Sequence, residues 1–241
     1  IKNNSDITGK IVGYTNHNMS IQIKYNGERY DLDVELMGEF NLYNILCCIG
    51  GAIALGFDIK YIMDRLQSVE KIPGRFETIN EGQNFMAVVD YAHTEDGLIN
   101  ILESINQLKK NKIITVFGAG GDRDKSKRPK MAIAAAKYSD YVIVTNDNSR
   151  TENPVNIVSD VVSGFKNIDY KNYKVIIDRE DAIKYAISII DKNDILLVAG
   201  KGHETYQIIG ENKYHFDDRE VIKKYLGKIG DENYDKTDKR D

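Results

Sequence analysis

Ile113-Ile114-Thr115-Val116-Phe117-Gly118-Ala119-Gly120-Gly121-Asp122-Arg123-Asp124 is the stretch that sets the fold. Its first half is an apolar, β-branched run. Its second half turns abruptly to glycine and charge. A strand with no polar alternation is covered on both faces, and that is the habit of a parallel sheet. Working outward, residues 130–138 show a helical pattern and residues 141–145 a second short apolar run. The alternation continues on both sides, with runs at 87–90, 175–177 and 195–199 and helical patterns near 96–108, 155–165 and 181–189. This order predicts an α/β fold with a mostly parallel sheet and helices on both faces. Residues 207–209 and 213–215 read as a hairpin around Gly210-Glu211-Asn212, and a last helix is expected over 219–226.

The chain before residue 73 has another texture. Residues 11–14, 20–25 and 29–34 alternate apolar and polar side chains, and Tyr25-Asn26-Gly27-Glu28 carries a hairpin signal. Helices are expected over 39–55 and 59–69. In the first, Leu42, Ile45, Leu46, Ile49, Ala52 and Ile53 fall three and four apart. Ile72-Pro73-Gly74 breaks the pattern. We therefore expect one domain over residues 1–72, a second over 73–229, and a charged, structureless tail over 230–241.

Bulk properties narrow the function. The net charge of the 241 residues is −4, with both signs spread along the chain, so no long basic block speaks for nucleic acid. Cys47 and Cys48 are adjacent and frame no disulfide, which suits a reducing, cytoplasmic home. No apolar run is long enough to span a bilayer, and residues 1–9 lack the regions of a signal peptide. The missing initiator methionine points to a fragment.

Ligands of open α/β sheets bind at the carboxyl ends of the strands. Here each of four runs ends in a polar cluster: Asp90-Tyr91-Ala92-His93-Thr94, the glycine loop 118–124, Asn146-Asp147-Asn148-Ser149-Arg150, and Gly200-Lys201-Gly202-His203-Glu204. Singly, each reads as turn and cap chemistry, and residues 125–130 as a solvated basic stretch. Together, on one rim, they read as a binding site. The glycine loop is not a dinucleotide fingerprint, no P-loop motif occurs, and no histidine or cysteine spacing supports a metal site.

These clusters, with Gly74-Arg75-Phe76-Glu77 and Lys127-Arg128-Pro129, occur in the order seen in Mur ligases, and the chain resembles that family. The likeness is greatest to its diaminopimelate-adding branch. Gly38-Glu39-Phe40-Asn41-Leu42-Tyr43-Asn44 resembles the end of the family's central ATPase domain. The resemblance implies a Rossmann-like carboxy-terminal domain preceded by a small β-plus-helix remnant of that ATPase domain. It implies an ATP- and Mg2+-dependent, amide-forming ligase of peptidoglycan synthesis, acting through an acyl phosphate. The reactants would be UDP-MurNAc-L-Ala-D-Glu and meso-diaminopimelate. The family's P-loop, magnesium ligands and carbamylated lysine would lie upstream. No catalytic or metal-ligating residue is therefore expected here, and the fragment alone should be inactive. Nucleic acid and membrane are not expected partners, and a monomer is expected.

By the same resemblance, Asn41, Asn44, Arg75, Asp90 and His93 serve ATP, while Arg123, Asp147, Asn148, Ser149, Arg150, Gly200 and Glu204 bind meso-diaminopimelate. The charges suit that ligand. Two arginines offer forks for two carboxylates, whereas Asp147, Asn148, Glu204 and the Gly200 carbonyl can accept from ammonium groups. One arginine would suffice for lysine. The chain departs from the family at Ser149 and Glu95, where proline is usual. A lysine- or lanthionine-adding relative, or a non-catalytic amino-acid-binding module, are the competing readings.

Overall fold

Pro73-Gly74 interrupts the helical pattern, and the chain divides there. The structure is a computed structural model that describes residues 6–15 and 18–237. It separates into units Ile1–Ile72 and Pro73–Asp241.

In the first unit β1 (Ile7–Tyr14), β2 (Met19–Tyr25) and β3 (Glu28–Val34) form an antiparallel meander. Asn26 (φ 48°) and Gly27 (φ 83°) make the left-handed two-residue turn that the sequence signals. Met19, Ile21 and Ile23 alternate into the core, facing Leu42, Ile45, Leu46 and Ile49 of α1 (Glu39–Ala54). The Asp58 carboxylate caps α2 (Ile59–Gln67), accepting from the Lys60 and Tyr61 N–H groups.

The second unit is built on six strands in the order β4-β5-β9-β6-β7-β8. They are β4 (Glu77–Ile79), β5 (Met86–Asp90), β6 (Ile113–Ala119), β7 (Tyr141–Asn146), β8 (Tyr173–Val175) and β9 (Ile195–Ala199). Only β4 runs antiparallel. The helices are α3 (Glu95–Asn106), α4 (Lys127–Tyr138), α5 (Pro154–Asn167), α6 (Arg179–Ile189) and α7 (Asp218–Thr237). A hairpin of β10 (Tyr206–Ile209) and β11 (Asn212–His215) precedes the last.

Every residue of β6 and β9 is buried, as their unbroken apolar character requires. On one face Ile114, Val116, Ile143, Leu196 and Val198 pack with α6 and α7. On the other, α3, α4 and α5 lie side by side. The chain thus leaves β6 and β7 toward one face and β9 toward the other. That reversal opens a crevice at the carboxyl edge. Register brings the strand ends level: Asp90 and Phe117 both pair with Ala199, and Ala119 pairs with Asn146.

Three elements differ from the sequence reading. β4 is too short to announce itself. The last parallel strand is β8, two residues earlier than the apolar triplet 175–177. It lies at the sheet edge, where strands need not be apolar. Main-chain pairing continues past it, Ile176 N–H donating to Val144 and Asn146 N–H to Ile177. The tail expected to be structureless continues α7 to Thr237. A helix satisfies its own backbone whatever its side chains, and nothing in 227–237 is a proline. Residues 238–241 lie outside the described residues. No described helix is long and apolar enough to cross a membrane.

Candidate functional site

Where β6, β7 and β9 end, their loops enclose a cleft of about 430 Å³ lined by Arg123, Asp147, Asn148, Arg150, Gly200 and Glu204, with Tyr91 and His93 at its margin. Six of the seven residues expected to bind the amino acid thus meet in one place. The seventh, Ser149, is completely buried, and its Oγ has no hydrogen-bond partner.

The loop after β7 is fixed by its own polar groups. Asn148 is buried, and its amide is fully engaged. Nδ2 donates to Glu204 Oε2 at 2.9 Å, while Oδ1 accepts from the Ile208 N–H at 2.8 Å and from Lys201 Nζ at 3.3 Å. The Asn148 carbonyl accepts from Gly121 N–H at 2.8 Å, which ties this loop to the one after β6. The approach is so close that a Cβ on Gly121 would overlap the Ser149 carbonyl. Gly200 (φ 119°) is in a conformation L side chains rarely adopt, and a Cβ there would come within 2.8 Å of Asp147 Oδ2.

Arg150 (φ 50°) is held in the left-handed region, its backbone hydrogen-bonded on both sides to the β10–β11 hairpin: its N–H donates to Ile208 O and its carbonyl accepts from Gly210 N–H. Its Nη1 donates to the carbonyls of Gly121 (2.8 Å) and Asn148 (3.3 Å), but among the described residues no carboxylate pairs with it. Arg123 is exposed and also lacks a partner carboxylate among the described residues. The carboxylates of Asp147 and Glu204 line the same cleft. The Glu204 charge pushes the neighbouring Tyr206 phenol upward. The cleft therefore holds both cationic forks and carboxylate acceptors.

Three buried cations supporting this arrangement escaped the sequence reading. Lys201 lies with its Nζ among Asn148, Glu204 and Asp147. Arg128, taken as part of a solvated basic stretch, is instead 1% exposed. It grips Glu152 (2.7 and 3.0 Å), Asp160 (2.8 Å) and the Gly120 carbonyl (3.2 Å). Glu152 in turn accepts from Asp122 N–H, so Arg128 locks the loop of Arg123 to that of Arg150. Arg179 sits beneath the cleft, bound to Asp218 and to the carbonyls of Asn146 and Ala199. The one available signal was position: Lys201 stands between two glycines at a strand end.

The residues expected to serve ATP are placed differently. Asp90 is buried and both its oxygens accept backbone N–H groups, from Phe76 and Ala92 at 2.8 Å. It thereby holds Phe76 in the left-handed region (φ 44°). Burial raises its carboxyl, against the pull of those two hydrogen bonds and of Arg75. Arg75 is exposed, its guanidinium 4.8 Å above the Tyr91 ring. His93 accompanies it, its ring centroid 4.6 Å from Tyr91 and its Nδ1 2.8 Å from the Tyr91 carbonyl. Asn41 and Asn44 belong to the first unit. Asn41 is buried, donating to Met37 O and accepting from exposed Asn44. Glu95 is simply the first residue of α3, after the Thr94 cap.

The chain is similar to known proteins over most of its length. Residues 74–202 match the family model described as "Mur ligase, glutamate ligase domain". The chain is 45% identical over 224 residues to a UDP-N-acetylmuramoyl-L-alanyl-D-glutamate–2,6-diaminopimelate ligase 2 of Clostridium acetobutylicum, covering 93% of this chain and 46% of that protein. It is 47% identical over 207 residues to the corresponding ligase of Fusobacterium nucleatum, covering 86% and 42%. A solved structure of such a ligase superposes with a TM-score of 0.68 at 33% identity, over 95% of this chain and 47% of that one. Folylpolyglutamate synthase of Thermotoga maritima, at 20% identity and a TM-score of 0.58, shares the fold. The chain spans about half the length of the curated relatives it matches.

Proposed function

The chain belongs to the Mur ligase family, and from that premise we propose that it carries the amino-acid-docking part of an ATP-dependent, cytoplasmic ligase of peptidoglycan synthesis. The ligase adds meso-diaminopimelate to UDP-MurNAc-L-Ala-D-Glu, and residues 1–72 are the end of its central ATP-binding domain. The observation that carries this reading is the polarity of the cleft. Arg123 and Arg150, two arginines without carboxylate partners among the described residues, share the cleft with the carboxylates of Asp147 and Glu204. A ligand with a carboxylate and an ammonium at each end satisfies both sets. The arginines fork onto the carboxylates, while Asp147, Glu204 and the Gly200 carbonyl accept from the far ammonium. That leaves the near amine as the nucleophile, held where an activated carboxylate can meet it.

ATP supplies the phosphoryl group that activates the carboxylate. Of this chain's residues, Arg75 fits a phosphate, being exposed and without a partner carboxylate among the described residues. Asn44 offers an exposed amide to a base edge, steadied by Asn41. Asp90 acts on the same loop from below, by fixing the backbone of Phe76 next to Arg75. No cluster of three or more His, Cys, Asp or Glu side chains fit for a metal occurs among the described residues.

Calorimetry on this chain with meso-diaminopimelate and with L-lysine tests the reading. The diacid should bind more tightly, and Arg150→Ala should weaken it about ten- to hundredfold while hardly affecting lysine. Equal affinity of the unmutated chain for the two ligands would overturn the two-arginine argument.

A further inference from the structure

Lys201 has no exposed surface, unusual for a residue that normally keeps its ammonium in water. Its Nζ lies 3.3 Å from Asn148 Oδ1, 3.3 Å from Glu204 Oε2 and 4.0 Å from Asp147 Oδ1. Two of these, Glu204 and Asp147, are also carboxylates offered to the ligand's far ammonium. The cleft floor therefore already contains an ammonium of its own, supplied by the chain.

We propose that Lys201 is a specificity-determining residue: it sets the net charge of the far subsite to zero and so selects a ligand end that is zwitterionic over one that is only cationic. The charges balance as follows. Arg150 and Lys201 contribute two positive charges, Asp147 and Glu204 two negative ones. The pair below them, Arg179 and Asp218, is neutral. A ligand end bearing one ammonium and one carboxylate enters without leaving an uncompensated charge. An end bearing an ammonium alone, as in lysine, leaves the subsite with an excess positive charge in a place of restricted solvent, where it costs most. Lys201 also fixes the acceptor geometry. Glu204 Oε2 is engaged by Lys201 and by Asn148 Nδ2, so Oε1 is the oxygen left for the ligand. Arg150 thus supplies attraction for the far carboxylate, and Lys201 supplies discrimination against its absence.

This inference rests on the amino-acid-docking reading, and its test separates the two. Lys201→Met keeps much of the volume and removes the charge. Calorimetry with meso-diaminopimelate and L-lysine should show the preference for the diacid shifting about tenfold or more toward lysine in Lys201→Met, with Lys201→Arg retaining most of the preference. Thermal melting monitors the fold of each variant. Equal weakening of both ligands, with the ratio unchanged, would overturn the proposal in favour of a purely structural lysine. A second measurement needs no variant. The Lys201 NζH3+ signal of the unmutated chain, followed by heteronuclear NMR, should shift on saturation with meso-diaminopimelate. A signal that stays put overturns the proposal as well. If the unmutated chain binds neither ligand, the docking reading itself fails. If it binds the diacid while both Lys201 tests are negative, only the present inference does.

Discussion

Asp218→Asn removes one charge from the most deeply buried ion pair beneath the cleft. Arg179 and Asp218 are 1% and 0% exposed, joined by two parallel hydrogen bonds of 2.8 Å. Burial alone would discourage the charged guanidinium, but the Asp218 carboxylate outweighs it and holds the group firmly protonated. Asparagine keeps the shape and loses the charge. Its amide also turns a donor toward the guanidinium, where an acceptor stood. An uncompensated buried charge of this kind costs about 3–5 kcal/mol. For a unit of this size that is a fall in melting temperature of about 6–20 °C. The chain has no tryptophan, so far-UV circular dichroism is the suitable probe. The double variant Arg179→Met/Asp218→Asn removes both charges and should recover a good part of the loss, with a coupling of about 2 kcal/mol or more. A single-variant cost below about 1 kcal/mol, or strictly additive effects, would refute the claim that the pair acts as a unit. Because Arg179 also holds the carbonyls of Asn146 and Ala199, which precede Asp147 and Gly200, ligand affinity should fall with stability.

Other expectations follow from single groups. Gly200→Ala places a Cβ within 2.8 Å of Asp147 Oδ2 at a φ of 119°, so diaminopimelate binding measured by calorimetry should fall about tenfold or more while far-UV dichroism keeps the native spectrum. Ser149→Ala removes a buried hydroxyl that has no partner, and urea unfolding should show a gain of about 1 kcal/mol. Arg128 first, then the Asp122 N–H and Lys125, lower the Glu152 carboxyl from 4.5 to about 2. A carboxyl lowered in the folded state stabilises above its unfolded value and ceases to do so as the pH falls toward the folded one. Acid titration of stability should therefore steepen between about pH 4.5 and 2, and Glu152→Gln should flatten that interval.

The sheet was legible where burial is two-sided. β6 and β9 lie in the middle, so every side chain meets a helix layer and the apolar run has the length of the strand. At the margin the signal fails for the same reason. β8 pairs on one side only, and its Lys174 and Val175 are exposed, so nothing in composition separates it from the loop beside it. β4 is three residues long and antiparallel, recruited by pairing with β5 rather than by any pattern of its own. The first hairpin turn was readable because it depends on local chemistry, Asn26-Gly27 supplying the positive φ.

The site was legible in position but not in depth. Strand ends announce where the polar loops gather, and the family resemblance singles out Arg123, Asp147, Asn148, Arg150, Gly200 and Glu204 within them. What sequence does not carry is which cations have partners. Arg128 stands among lysines that face water, yet it is buried against Glu152 and Asp160. Arg179 opens an amphipathic helix, where exposure is the ordinary expectation, yet it pairs with a residue 39 positions away. Arg219 is held by Asp217 and Glu77. An arginine already neutralised within the chain is a poor receptor for a ligand's carboxylate, because the ligand must compete with a preformed fork. The structure sorts the arginines on that criterion. Arg128, Arg179 and Arg219 have carboxylate partners and brace the loops. Arg123 and Arg150 have none among the described residues and line the cleft. The two roles depend on each other, since an unpaired guanidinium can be presented at a fixed place only by loops that something else holds still.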